Sequence, residues 1–305
     1  MSRPQMSKRQ MSRPGLQIAR SSAIAVTAVV SLLGFFAVSP APAGAAANPF
    51  PRAVSGGFAT TTGNGFWLAL ANGAVDSIGD ARFVGDAESL PLQGPVEGGS
   101  AVAGGGGYWL VANDGGVFSY GSARFFGSMG GIRLNQPVFS MASTTSGNGY
   151  WLVARDGGVF SFGDAAFRGS TGGIRLNQPI VGIARYRTGT GYTMVASDGG
   201  IFTFGGRRFF GSLPGIGAHV SDVVGMAQTA NGLGYWIVRR GGQVYAFGNA
   251  LAFRPYFASP CDPVVAIIGN PTQQGFRLVT RSGASISRGV GVAGHVSIGT
   301  PRPCS

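Results

Sequence analysis

The chain has 305 residues, 54 of which are glycine, and only 11% are charged, with a formal net charge of +12. Globular proteins average about 25% charged residues and about 7% glycine. Two histidines and two cysteines are too few for a zinc cluster. The glycine content disfavours a coiled coil or helical bundle, and a hydrophobic fraction of 44% excludes charge-driven disorder.

The first 47 residues have the pattern of a secretory signal peptide. Basic residues without any acid precede an apolar run over residues 21–38 (SSAIAVTAVVSLLGFFAV). Small residues at Ala43, Ala45 and Ala47 then form A-x-A cleavage sites in a Pro- and Ala-rich exit. The Pro- and Ala-rich segment favours cleavage. The apolar run over residues 21–38 is nevertheless long enough for a retained membrane anchor, so that alternative stays open.

The positive charge gives little support to a nucleic-acid partner. The leader holds five basic residues and no acidic residue, so the net charge falls from +12 to +7 once it is removed. The remaining arginines form no basic block, whereas nucleic-acid binding is typical of clustered Lys and Arg. We expect no nucleic-acid partner, and a membrane partner only if the leader is retained. Weak attraction to an anionic wall surface stays open.

A Gly-aromatic pair recurs six times after the leader and defines a repeat of about 42 residues. Its aromatic members, spaced by 42, 42, 42, 43 and 41 residues, are Phe66, Tyr108, Tyr150, Tyr192, Tyr235 and Phe276. Six such units fill residues 48–305. We therefore expect a single domain in this range.

Each unit predicts four short strands. In the third unit these are residues 137–142 (PVFSMA), 149–154 (GYWLVA), 158–163 (GVFSFG) and 165–170 (AAFRGS). β-Branched and aromatic residues favour strands, and glycine clusters bound each run.

The turn between the second and third strands has the chemistry of a two-residue hairpin. It reads Asn72-Gly73, Asp114-Gly115, Asp156-Gly157, Asp198-Gly199, Gly241-Gly242 and Ser282-Gly283. Asn, Asp and Gly tolerate the positive φ that such turns need. One carboxylate per unit, replaced elsewhere by Asn or Gly, indicates turn chemistry, so we predict no metal site.

Apolar residues occupy both faces of the strands, which indicates a stack of sheets. Stacked repeats of four antiparallel strands and about 42 residues predict an all-β fold, a six-bladed β-propeller. A tandem pair of β-trefoils, three units each, is the alternative.

The units resemble the repeats of secreted actinobacterial proteins with propeller-like folds. The resemblance rests on stretches such as GYWLVARDGGVFSFGDAAFRGSTGGIRLNQPIVGIA (149–184), covers about residues 53–300 and is strongest in units two to four. In that family the repeats often stand beside cell-wall hydrolase or peptidase domains and also occur alone. The resemblance implies a place at the cell wall, but the activity of a partner domain does not carry over.

Two sets of residues are candidates for ligand binding. All four tryptophans fall at one repeat position, Trp67, Trp109, Trp151 and Trp236, and could stack on sugar rings, although packing between blades is the alternative. Arg133 and Arg175 lie in the duplicated link GGIRLNQP and could dock an anionic glycan, or simply be solvated.

Few residues could support catalysis. His219 precedes Asp222 by three residues, which makes a Ser-His-Asp site conceivable, and His295 lies in the last unit. No nucleophile elbow, HExxH helix or paired carboxylates are present. We therefore expect no enzyme and no cofactor, and keep a hydrolase or lyase acting in the central channel as the alternative.

The resulting prediction is a secreted, monomeric, non-catalytic binding or scaffold module. Its expected ligand is a cell-wall glycan or an extracellular protein, bound through the rim or the channel. A pure scaffold that works with a separately encoded enzyme is a further alternative.

Cys261 and Cys304 are predicted to form a disulfide, because they are the only two cysteines of a secreted chain. Closing that loop would stabilise the last unit by roughly 4 kcal/mol. Intact mass before and after reduction should reveal one bond. Two alkylatable thiols in the non-reduced secreted protein would contradict it.

Overall fold

A computed structural model describes residues 48–187, 191–206 and 208–290, and this part of the chain is all-β. Its strands, numbered β1 to β18 along the chain, form six antiparallel sheets of three consecutive strands. The first, inner strands are β1 (Val54–Ala59), β4 (Val96–Ala101), β7 (Val138–Ser143), β10 (Ile180–Arg185), β13 (Val223–Gln228) and β16 (Val264–Gly269). The middle strands are β2 (Phe66–Leu70), β5 (Gly107–Ala112), β8 (Gly149–Ala154), β11 (Tyr192–Ala196), β14 (Gly234–Arg239) and β17 (Phe276–Thr280). The outer strands are β3 (Val75–Ile78), β6 (Val117–Gly121), β9 (Val159–Gly163), β12 (Ile201–Phe204), β15 (Val244–Gly248) and β18 (Ser285–Arg288).

The six sheets form one closed, propeller-like ring. Each inner strand packs against the inner strands of both neighbouring sheets, and β16 packs against β1. One backbone hydrogen bond repeats around this ring: Val96 N–H donates to the Ala71 carbonyl at 3.0 Å, for example, and Val54 N–H donates to the Arg281 carbonyl at 3.2 Å. The last and first sheets are therefore joined by the same bond as every other pair. The predicted all-β, propeller-like architecture is confirmed.

The core consists of six hydrophobic clusters, one between each pair of neighbouring sheets. The middle strands β5 and β8 are buried along their whole length. Tyr108, for example, packs on Trp67 of the preceding sheet with ring centroids 5.4 Å apart. The predicted burial of both strand faces thus follows from sheets that stack around a ring.

Each sheet has three strands and not the predicted four. In the third unit the expected fourth strand, residues 165–170, forms no strand. Gly169 adopts φ 130°, and a Cβ there would lie 2.6 Å from the Phe204 ring. The Tyr192 hydroxyl donates to the Gly169 carbonyl at 2.5 Å and accepts from Arg168 N–H at 3.2 Å. A side chain of the next sheet thus takes the hydrogen bonds that a strand ladder would use.

The hairpin loops have three residues, one more than predicted. Gly157 N–H donates to the Ala154 carbonyl at 2.8 Å, and Ala154 N–H donates to the Gly158 carbonyl at 2.9 Å, which encloses residues 155–157. Gly157 has φ 78°, and the Asp156 carboxylate accepts from Gly158 N–H at 2.9 Å. This is a type I turn followed by a left-handed glycine, and it leaves Arg155 inside the loop.

The tyrosine hydroxyl bond should be measurable as stability. Tyr150 donates to the Gly127 carbonyl at 2.6 Å and accepts from Phe126 N–H at 3.2 Å. Tyr150→Phe should lower the free energy of unfolding by about 1–2 kcal/mol, because two backbone groups lose their partner. Urea unfolding measures it.

Tyr120→Phe is the matched control, because the Tyr120 hydroxyl has no hydrogen bond within the described residues. Its cost should stay below about 0.5 kcal/mol. Equal losses of stability in the two variants would show that the Tyr150 hydroxyl does not stabilise the segment after β6 that contains Phe126 and Gly127.

Candidate functional site

The inner strands surround a channel along the axis of the ring. A cavity of about 290 Å³ is lined by residues from all six of them. Glycines help to make the space: a Cβ on Gly98 would meet no heavy atom within 4 Å, whereas one on Gly56 would lie 2.8 Å from the Glu97 carbonyl oxygen on the neighbouring strand. We call the openings at the starts and the ends of the inner strands the N-side mouth and the C-side mouth.

The N-side mouth holds an acidic residue among arginines. Glu97 is the second residue of β4, where the other inner strands carry Ser, Phe or Val. Burial raises the pKa of Glu97 to about 7, and the positive charge of Arg155 opposes the shift. The Arg155 guanidinium lies 4.1 Å from the centre of the Phe139 ring. Arg240, Arg281 and Asp222 line the same mouth. Because Asp222 pairs with Arg239 at 2.7 Å, the surroundings of Glu97 are mainly basic.

The C-side mouth carries two further arginines, Arg185 and Arg187. Burial lowers the pKa of Arg185. Burial and the charge of Arg185 lower the pKa of Arg187. Both guanidinium groups are half-buried, and neither forms an ion pair with a described carboxylate. The channel thus has charged side chains at both mouths and small or apolar ones between.

The predicted tryptophan site lies in the core. Trp67, Trp109, Trp151 and Trp236 are at most 4% exposed. Each indole N–H donates to a carbonyl of its own unit 15 residues later, at 2.8–3.0 Å. No ring face is left for a sugar, because the next sheet covers it.

The other predicted residues do not meet in one site. Arg133 and Arg175 are exposed in the links between sheets, and Arg175 borders a shallow groove near the N-side mouth. Asp114, Asp156 and Asp198 each accept the N–H two residues later, as the turn interpretation requires. Within the described residues no group of three His, Cys, Asp or Glu could hold a metal. Cys304 and His295 lie outside the described residues, so the disulfide stays a prediction.

The structure shows no polar contact between the two named members of the conceivable triad, His219 and Asp222, within the described residues. His219 is exposed in the link after a 3₁₀ turn at Pro214–Ile216. Asp222 accepts from the Nε of Arg239 at 2.7 Å. No described hydrogen bond or ion pair joins His219 to Asp222, so a Ser-His-Asp site gains no support.

A row of exposed phenylalanines was missed by sequence reasoning. Phe83, Phe125, Phe167 and Phe209 follow each other at intervals of 42 residues and are 52–60% exposed. They lie on the outer segments after β3, β6, β9 and β12, and each has an exposed arginine as a sequence neighbour. We call this set the Phe row. The repeat period itself was the signal that could have revealed it.

The Glu97 carboxyl should make stability depend on pH. Its pKa is about 7 in the folded chain, against an ordinary value of 4.5 for a solvated glutamate. Between pH 4.5 and 7 the folded state therefore holds a proton that the unfolded state releases. Stability should fall as pH rises from about 4.5 to 7. Glu97→Gln should therefore be more stable than the wild type at pH 8, by about 1–2 kcal/mol after allowance for partial solvation, and equal to it near pH 4.5.

Glu88→Gln is the control, because Glu88 is exposed and pairs with Arg52 at 3.0 Å. It should show no such gain. Unfolding curves from pH 4.5 to 8 measure both variants, and parallel pH profiles of wild type and Glu97→Gln would contradict the shifted carboxyl.

Comparison with known proteins supports the fold alone. No family model and no curated protein matches the chain. A crystal structure of a protein of unknown function from Bacteroides thetaiotaomicron is similar, with a TM-score of 0.52 and 14% identity, over 75% of this chain and 66% of that chain. Among the described residues, no helix has the length and apolar character to cross a bilayer.

Proposed function

We propose that this chain is a secreted, non-catalytic, six-bladed propeller with three-stranded blades that binds an anionic glycan of the cell wall through its outer rim. The single observation that carries the proposal is the Phe row. Four phenyl rings are exposed to water at one repeat position, where burial would have been favourable.

Packing does not account for the exposed rings. In the Phe125-Phe126 and Phe209-Phe210 pairs, the second ring packs against a tyrosine: Phe126 on Tyr150 with centroids 5.9 Å apart, and Phe210 on Tyr235 at 5.8 Å. The first ring of each pair faces outward. The structural need for an aromatic residue is thus met by the second ring, and the first is available to a ligand.

The neighbouring arginines give the ligand its expected charge. Arg82, Arg124 and Arg208 directly precede a ring of the Phe row, and Arg168 directly follows one; all four are exposed. A phenyl face packs on the apolar face of a sugar, and a guanidinium pairs with a carboxylate or phosphate. Because the pair recurs on four sheets, a polymer with repeating acidic units could engage several copies at once, which multiplies weak contacts.

A channel enzyme is the second candidate function, and Glu97 is the observation that favours it. A carboxyl with a pKa near 7 in a cavity is suited to general acid or base chemistry. Among the described residues, Glu97 is the sole carboxylate that lines the cavity, and Asp222 at the N-side mouth is paired with Arg239. Glycoside hydrolysis uses two carboxyl groups. Release of reducing ends from wall polymer that Glu97→Gln abolishes would establish this candidate.

The binding function is tested with isolated wall polymer at low salt. The Phe125→Ala/Phe167→Ala variant should bind about 10-fold more weakly than the wild type, because two stacking contacts of roughly 0.7 kcal/mol each are lost. The matched control is Ile132→Ala/Ile174→Ala, which removes two side chains that are 55% and 61% exposed on the links of the same units.

Equal binding by wild type, Phe variant and Ile control would contradict the role of the Phe row. If the wild-type chain is not retained on the polymer at low salt, the wall-binding function itself is wrong. Co-purification of an enzyme from culture medium would then support the scaffold alternative.

A further inference from the structure

The fourth unit departs from the repeat at the C-side mouth. Arg185 ends β10, where the other inner strands end in small or uncharged residues: Ala59, Ala101, Ser143, Gln228 and Gly269. Two residues later, Arg187 occupies a position that the other units fill with Thr61, Ala103, Thr145, Ala230 and Pro271. Two cationic side chains of one sheet therefore lie at the C-side mouth, at positions where the other five units carry uncharged residues.

The residue between them fixes the direction of both arginines. Tyr186 is 4% exposed, and Thr193, which replaces the tryptophan of this unit, donates its hydroxyl to the Tyr186 oxygen at 3.1 Å. A Cβ on Gly191 would lie 2.6 Å from the Tyr186 ring. Tyr186 thus fills core space beside Thr193. Since successive side chains of an extended segment point to opposite faces, Arg185 and Arg187 face the channel.

No described acidic residue compensates these charges. The carboxylate of Glu97 lies toward the N-side mouth, where Arg155 is its charged neighbour. The three ion pairs of the described residues involve Arg52 and Arg239 only. Two half-buried guanidinium groups side by side repel each other and lose hydration, a cost that a bound anion would remove.

We propose that Arg185 and Arg187 form an oxyanion-binding site at the C-side mouth of the channel, which takes the carboxylate or phosphate group of a small ligand. Guanidinium groups bind such oxygens with two parallel hydrogen bonds. Thr61 and Thr145 line the same mouth with hydroxyl groups that can donate further bonds. The site is separate from the Phe row, so this inference does not rest on the proposed wall-binding function.

The test uses the full mature chain and three probes: inorganic phosphate, glucuronate and glucose. Glucose matches glucuronate without its carboxylate, and calorimetric titration at millimolar probe concentration measures binding. The wild type should bind phosphate, glucuronate or both, and should not bind glucose. Phosphate alone assigns a phosphate ligand, and glucuronate alone assigns a carboxylate.

Variants then locate the site. Arg185→Gln and Arg187→Gln should each weaken binding at least 10-fold, and Arg185→Lys should weaken it less, because the charge is kept while the two-pronged geometry is lost. The charge-matched control for each single variant is Arg254→Gln, at an exposed arginine outside the channel and outside every candidate site, which should bind like the wild type.

Stability gives an independent measurement. Without ligand, Arg185→Gln should melt at the same temperature as the wild type or higher, because an uncompensated charge is removed. The probe that binds should raise the melting temperature of the wild type and not that of the variant.

Three results would overturn the oxyanion site. They are a wild type that binds neither anion, equal loss of binding in the Arg254→Gln control, and undiminished binding in the Arg185→Gln/Arg187→Gln double variant. The Phe125→Ala/Phe167→Ala variant should keep its affinity for the small anions. The wall-binding proposal and the oxyanion-site proposal can therefore be refuted independently of each other.

Discussion

The contact on which the ring depends is an aromatic one between neighbouring middle strands. The tryptophan of one sheet packs on the tyrosine or phenylalanine that is the first or second residue of the middle strand of the next sheet. Ring centroids are 5.1–5.4 Å apart in the Trp67–Tyr108, Trp109–Tyr150, Trp151–Tyr192 and Trp236–Phe276 pairs. Such pairs contribute beyond the area they bury. Because the tyrosine hydroxyl also binds the outer segment of the preceding sheet, one residue stabilises both the core and the edge of the interface.

At the two junctions between sheets that lack a tryptophan, other side chains fill the space that the indole ring occupies elsewhere. Between the fourth and fifth sheets, Tyr186 occupies the space beside Thr193. Between the sixth and first sheets, Arg277 takes the tryptophan position, 5.3 Å from the centre of the Phe66 ring, and its guanidinium donates twice to the Gly63 carbonyl at 3.3 Å. Asn270 donates to the same carbonyl at 3.0 Å. Polar contacts therefore add to the hydrophobic cluster at the one junction where the two sheets are far apart in sequence.

Sequence reasoning could identify the repeat, the three strands and the glycine turns, because each is specified within a few residues. It failed at the fourth segment, since AAFRGS has the composition of a strand and its hydrogen bonds come from Tyr192 of the next unit. A signal was nevertheless present: Tyr108, Tyr150, Tyr192 and Tyr235 each bond a glycine 23 or 24 residues earlier. Where Phe276 lacks the hydroxyl, the preceding segment ALAFRPYF has no glycine.

Channel residues were harder to predict than core residues. Every inner strand has an irregular register between its first and third residues. Such a bulge breaks the alternation from which inward and outward positions are inferred. Glu97 occupies the irregular position in β4. A residue at the irregular position can face the channel although simple alternation does not assign it a side of the sheet. Glu97 and Arg185 can be distinguished from solvated side chains only when the six units are aligned and compared position by position.

The charges in the channel follow from how the ring is held together. The six hydrophobic clusters lie between sheets, whereas Glu97, Arg185 and Arg187 are only partly buried and line the channel, so their charges do not enter the core. Burial still makes these charges unfavourable. It raises the pKa of Glu97 and lowers the pKa values of Arg185 and Arg187, so in each case it favours the uncharged form. The acid and the arginine pair lie toward opposite mouths, where they do not neutralise each other. A chain under selection for stability alone would have kept the uncharged residues that its other units carry at these positions. The unneutralised charge is therefore best explained by what enters the channel, rather than by the fold that surrounds it.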